Sequence, residues 1–412
     1  MNLAEVKSTI HEELPISGGM AWFKSLVRRL VCGGIYLISG EPGAGKSTLT
    51  IQLGLDLAMQ GIPVLFILTE QNSGELAARA REITKGISYS DIENMFKNIK
   101  IFDTITGINE LCNFLTSHIF NPSGKFHGVQ MIVVDSIQGH GLSAAATGTY
   151  EVIYQFCREC KRAGITVLLT SHMTKNSRIG GPRTLEHNVD STILLRRAPA
   201  CSAAITIKNR FASISPHFMA LTWNTRSALQ LSPHSAIATS TILGFAPHGI
   251  VEIQFSIGLS RYGCPGRIVS LGIPFKEMVQ LIAAINQLPG ISLQSNDYNI
   301  NCRVPNGNGF NSSLGLAVAI GLIGAFTRRP VPLDVIYLGE IDLQNRCRSI
   351  GPMITAKLIE ELLEKPNYIV FCPHEVSYEI QKQCPEIKIA VVEKLAEAVQ
   401  FTWQEPDRLH NV

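Results

Sequence analysis

One octapeptide constrains this chain more than anything else in it. Gly40-Glu41-Pro42-Gly43-Ala44-Gly45-Lys46-Ser47, followed by Thr48, fits G-x-x-x-x-G-K-[ST]. An apolar run, IYLISG at 35–40, precedes it, and a stretch of helical period, 46–60, follows it. Strand, glycine-rich turn and helix form the context that the motif requires. Glycines let successive backbone N–H groups converge on phosphate oxygens, and the helix N-terminus adds the positive end of its dipole. Lys46 is placed to reach the β- and γ-phosphates, and the Ser47 hydroxyl to ligate Mg2+. The expected ligands are ATP and Mg2+, with residues 40–48 as the ATP-binding loop.

The rest of the first half fits an α/β layer built around that loop. Strand candidates recur at 63–70, 131–136, 166–172, 191–197 and 204–211, with helical stretches at 74–84, 107–119 and 150–163. Nearly continuous apolar strands alternating with helices predict a mostly parallel sheet covered on both faces. Charge drops and Ser, Ala and Pro rise over 227–241, which is where a linker is expected. Beyond it strands and helices alternate again, predicting a second α/β domain. The expected organisation is a lead-in at 1–30, an ATPase domain at 31–226, the linker, and a second domain at 242–412. A length of 412 residues suits such a division, and 45% hydrophobic residues exclude a largely disordered chain.

No apolar run reaches the roughly 18 residues that span a bilayer, the best being 314–326. With charged residues through the first thirty positions, a cytoplasmic protein without membrane contact is expected. The net charge of +3 implies no partner, but it is unevenly spread. Between Arg158 and Arg210 there are ten basic residues and three acidic ones, either a solvated face or an anion-binding surface.

Hydrolysis needs an acid to organise the metal and a group to orient water. The run MIVVDS places Asp135 at the end of a buried strand, where a carboxylate wants a partner such as hydrated Mg2+, unless it merely caps the strand. Glu70 ends the strand after the phosphate loop and can polarise the attacking water, or be an ordinary strand-end glutamate. Thr170, Ser171 and His172 end the next strand and are candidates to sense the γ-phosphate.

The order of these parts, with Gly181-Pro182-Arg183, Leu185-Glu186-His187 and Lys208-Asn209-Arg210-Phe211 downstream, resembles the bacterial RadA (Sms) family. The likeness continues through VEIQ at 251–254 and GEIDLQNRCRSIG at 339–351, about residues 30–400 in all. It implies a RecA-like P-loop ATPase core followed by a Lon-protease-like α/β domain, acting in DNA recombination and repair as a ring-shaped translocase. It further implies a homo-oligomer, a hexamer, with Lys208 and Arg210 reaching a neighbour's γ-phosphate as catalytic cations. Such a finger contributes roughly 10³-fold or more in rate. Lys175, Arg178 and Arg183 would meet single-stranded DNA or recombination intermediates in the channel, and a recombinase is an implied partner.

The sequence departs from the family in three places. The family's zinc module, C-x₂-C twice, is not found ahead of Gly40, where Cys32 is the single cysteine. The one C-x₂-C, Cys157 and Cys160, lies in a predicted helix and is expected to pack rather than bind zinc. The stretch GHGLSAAATGTY at 139–150 carries no charged residue, which weakens the DNA reading. In the second domain Ser313 falls at the Lon nucleophile position, but Ile354 holds the lysine position and Lys357 is three residues on. A serine without a base is a poor nucleophile, so peptidase activity is not expected. A nucleotide-gated scaffold that does not move on DNA is the competing reading.

Overall fold

The computed structural model describes residues 12–103, 110–138, 147–173, 183–198, 200–215, 217–261, 264–304, 311–364 and 367–403. The chain divides into two units, Met1–Ser235 and Ala236–Val412.

In the first unit the apolar runs become β1 (Ile35–Gly40), β2 (Val64–Leu68), β3 (Ile99–Phe102), β4 (Met131–Asp135), β5 (Thr166–His172) and β6 (Ser191–Ala198). They lie parallel in the order β3-β2-β4-β5-β1-β6. Then β7 (Cys201–Asn209), β8 (Met219–Trp223) and β9 (Leu229–Leu231) extend the sheet antiparallel beyond β6. Every position of β1, β2 and β4 is buried, as strands covered on both faces require. The helices are α1 (Lys24–Val27), α2 (Lys46–Met59), α3 (Ser73–Ile83), α4 (Tyr89–Lys97), α5 (Glu110–Phe114), α6 (Thr147–Arg162) and α7 (Arg183–Asn188). α3 starts on a capping box, in which the Asn72 side chain accepts from Glu75 N–H and the Glu75 carboxylate from Asn72 N–H.

Two expected boundaries fall differently. The lead-in belongs to the core: Leu14, Ile16, Met20, Phe23, Leu26, Val27 and Leu30 are buried in the cluster that holds α2 to the sheet. The stretch expected as a linker is split between the units. Leu229–Leu231 forms β9, and β10 (Ala238–Ala246) already belongs to the second sheet. Its Ser, Thr and Ala residues mask a strand whose Ala238, Ile242, Phe245 and Ala246 are all buried.

The second unit continues with β11 (Gly249–Leu259), β12 (Ile268–Leu271), β13 (Tyr298–Arg303), β14 (Val335–Tyr337), β15 (Glu340–Ile341), β16 (Cys347–Arg348), β17 (Ile369–Cys372) and β18 (Lys388–Val391). Seven of these strands form a mixed sheet, β12-β13-β11-β10-β14-β17-β18, and β15 pairs with β16. Its helices are α8 (Phe275–Ile285), α9 (Gly315–Thr327), α10 (Pro352–Glu364), α11 (His374–Gln383) and α12 (Leu395–Trp403). The longest apolar run of the sequence is α9, a 13-residue core helix buried from Gly315 to Ala325. Among the described residues no helix is long and apolar enough to cross a membrane.

Candidate nucleotide site

The parallel strands of the first unit end along one edge, and the groups that could handle phosphate collect there. β1 ends at Gly40, the loop turns, and α2 begins at Lys46. Gly45 sits at φ 101°, and a β-carbon on it would stand 2.8 Å from Leu229 Cδ1 and 3.3 Å from the Trp223 indole. Conformation and space both demand glycine there. A β-carbon on Gly40 would overlap the Leu195 carbonyl of β6, so the loop starts pressed against its neighbouring strand.

Lys46 is buried, and its Nζ donates to the Gly40 and Glu41 carbonyls at 2.9 and 3.1 Å. Burial lowers its pKa from the ordinary lysine value, against the opposing pull of Asp135, Glu70 and Glu41. A partly desolvated ammonium lying over a glycine-rich loop is suited to take a polyphosphate as its counter-ion.

Asp135, at the end of β4, is 5% exposed. The Thr170 hydroxyl on β5 donates to its Oδ1 at 2.6 Å, and the Gln71 amide to its Oδ2 at 3.2 Å. An ionised carboxylate has about four lone-pair sites, so these two bonds leave capacity for a metal-bound water. The Ser47 hydroxyl and the Asp135 carboxylate are hard oxygen donors of the kind Mg2+ takes, and they fit the ion.

Glu70 lies two residues past β2 and accepts the Ser136 hydroxyl at 2.6 Å. Nε2 of His172, at the end of β5, stands 3.1 and 3.2 Å from its two oxygens. Ser136 is held in turn, since its N–H donates to the Thr69 hydroxyl at 2.9 Å and its carbonyl accepts from that hydroxyl at 2.6 Å. Glu70 and His172, expected from separate strands, thus meet in one cluster. Ser136, Thr69 and Gln71 were not foreseen, because a hydroxyl or amide beside a strand end carries no pattern of its own.

Glu41, expected only as a loop residue, is an anchor. Its carboxylate faces Nε of Arg196 at 3.3 Å and Nε of Arg197 at 3.7 Å, and accepts the Arg197 N–H at 3.1 Å. Arg196 is 1% exposed. A guanidinium ending the apolar run STILL signals a partner, since burying an unpaired charge is prohibitive.

Lys208 and Arg210 are engaged within their own chain. Lys208 Nζ donates to the carbonyls of Glu186 and His187, both at 2.7 Å, and Arg210 Nη2 to that of His187 at 2.9 Å. These carbonyls belong to the last turn of α7, where cations are favoured. Arg210 also lies 3.4 Å from Asp190, whose buried carboxylate takes Lys161 Nζ at 2.7 Å on both oxygens and the Ile35 N–H at 3.0 Å. Partial burial and the Arg210 charge lower the pKa of Lys208.

The DNA-contact candidates are less visible. Lys175 and Arg178 lie outside the described residues, and Arg183 opens α7 with its side chain outside them. Elsewhere in the basic stretch the charges are internally matched. Arg158 and Arg162 pair with Glu159, Lys161 and Arg210 with Asp190, and Arg196 and Arg197 with Glu41.

Cys157 and Cys160 are both buried in α6. Burial pushes the Cys157 thiol up to about 12 and that of Cys160 well above the ordinary value, so both stay protonated packing groups. In the second unit the fully buried Ser313 hydroxyl donates to the Phe245 carbonyl at 2.7 Å. Lys357 Nζ donates to the Pro247 carbonyl at 2.7 Å, and Ile354 packs against the hydrophobic core. Proton and base are thus each committed to a backbone carbonyl.

A family model described as "ATPase: KaiC" matches residues 18–213, which lie within the first unit and run through β7. The chain is 28% identical over 343 residues to the DNA repair protein RadA of Haemophilus influenzae, covering 78% of this chain and 69% of that protein. To the DNA repair protein RadA of Escherichia coli it is 27% identical over 361 residues, covering 82% and 74%. To that of Pseudomonas aeruginosa it is 26% identical over 371 residues, covering 85% and 77%. Alignments this long run past Ser235 into the second unit, which a shared nucleotide-binding core alone would not produce. The chain is thus similar to RadA proteins along both of its units, with a RecA-like ATPase unit ahead of its second α/β unit.

Proposed function

We propose that this chain is a Mg2+-dependent ATP hydrolase of DNA repair, working as a ring-shaped motor on single-stranded DNA in homologous recombination. The convergence of Lys46, Asp135 and the Glu70–His172 pair at the ends of β1, β2, β4 and β5 carries this reading. Residues 40–48 bind the phosphates, with Lys46 neutralising the β- and γ-oxygens. Ser47 and, through water, Asp135 would hold Mg2+, which supplies charge neutralisation between the phosphates. Glu70 orients and polarises the attacking water, and His172 registers the γ-phosphate and passes its state into the segment that follows. Lys208 and Arg210 act on a neighbour's nucleotide in a hexamer, and Lys175, Arg178 and Arg183 meet the DNA backbone. Likeness to proteins called DNA repair protein RadA supports the assignment to repair.

The deciding experiment is ATP hydrolysis titrated with single-stranded DNA. Turnover is expected to rise with DNA, to weaken steeply with added salt, and to vanish in Lys46→Ala. ATPase activity indifferent to DNA would favour a nucleotide-gated scaffold instead. One observation leans toward that second reading: Lys208 and Arg210 rest on carbonyls of their own α7.

A further inference from the structure

The side of the phosphate loop opposite the hydrolytic groups is built as well. In the sheet order, β5, β4 and β2 lie on one side of β1, and β6 to β9 on the other. Asp135, Glu70 and His172 all belong to the first side. A nucleoside triphosphate with its terminal phosphate facing them must send its ribose and base away, toward β6–β9.

Trp223 stands at that end. The end of β8 brings its indole so close to the loop that a β-carbon on Gly45 would lie 3.3 Å from its Cζ2 and Cη2. Trp223 is nonetheless 43% exposed, although large aromatic residues usually find cover. Its position is fixed relative to the phosphates. β8 pairs with β9 through Trp223 and Leu229, and the Leu229 N–H and C=O bond the Gln52 side chain at 2.8 and 2.9 Å. Gln52 is on α2, the helix that begins at Lys46, so one rigid element holds both the loop and the indole.

We propose that Trp223 is the platform on which the nucleobase of the bound nucleotide stacks, so that this site reads the base as well as the phosphates. The inference rests on the nucleotide reading above. An aromatic face accepts any base by its π-surface and gains more from a larger one, so purine triphosphates are favoured over pyrimidine ones.

The test compares ATP, CTP and inorganic tripolyphosphate, each with Mg2+, binding to the full chain, to Trp223→Phe and to Trp223→Ala. Trp223→Ala is expected to lose roughly 5- to 100-fold in ATP affinity, by analogy with base–aromatic stacking, while keeping its tripolyphosphate affinity. Trp223→Phe should restore most of the loss. Trp223 emission, taken as the difference between the native chain and Trp223→Phe, should be quenched by ATP, less by CTP and not by tripolyphosphate. Equal quenching by ATP and tripolyphosphate, or none by either, would overturn the platform even if Trp223→Ala misfolds. ATP bound equally by the native chain and Trp223→Ala would overturn it while leaving the nucleotide reading intact. A native chain that binds neither ATP nor tripolyphosphate would overturn both.

Discussion

Glu70 is the residue whose change separates binding from turnover. Its carboxylate touches Ser136 and His172 but not the loop carbonyls that hold Lys46. Glu70→Gln is therefore expected to slow single-turnover hydrolysis by roughly 10²- to 10⁴-fold while leaving equilibrium ATP affinity nearly unchanged. Equal loss of both would show that Glu70 shapes the pocket rather than the chemistry. Glu70, Asp135 and the phosphate loop were legible in the sequence because each belongs to a local pattern, an apolar strand ending in an acid or a spaced run of glycines. Arg196, Asp190 and Trp223 were not. Arg196 is explained by Glu41, 155 positions away, and Trp223 gains its meaning only from the approach to Gly45.

At the scale of elements, the ends of β1, β7, α6 and α7 meet around one buried acid. Asp190 fastens the start of β1 through Ile35, the end of α6 through Lys161 and the exit of β7 through Arg210. Asp190→Ala leaves one buried backbone donor unpaired and two half-exposed cations without their acid, and should lower unfolding free energy by about 2 kcal/mol, read from the urea midpoint. A shift smaller than that of Lys161→Ala would contradict the hub. Elements were legible where composition and period agree: β1 and β5 fall on the expected spans, and α2 within one residue. They were missed where packing overrides propensity. β3 is four residues with a lysine among them, and α11, HEVSYEIQKQ, hides its core contacts Val376 and Ile380 among polar residues.

On the scale of the whole molecule, the candidate nucleotide site lies in one unit, while the other commits its Ser313 proton to a backbone carbonyl. The chain divides at Ser235, inside the stretch expected as a linker, but the strands β9 and β10 within that stretch were not legible, since small residues disguise β10 as a spacer. If the finger works in trans, activity is a property of the assembly. ATP turnover per chain should climb with protein concentration and level off as sedimentation shows rings filling. Turnover per chain that stays constant down to the monomer would refute the trans role.

Lys208 and Arg210 also say what a lone subunit does with its time. Each rests on peptide carbonyls at the end of α7, a comfortable berth for a cation and one it leaves only for denser negative charge. On the proposed trans role, a neighbour carrying a triphosphate would offer that, whereas an empty neighbour would not. Idling would then be the default setting of a subunit outside an assembly.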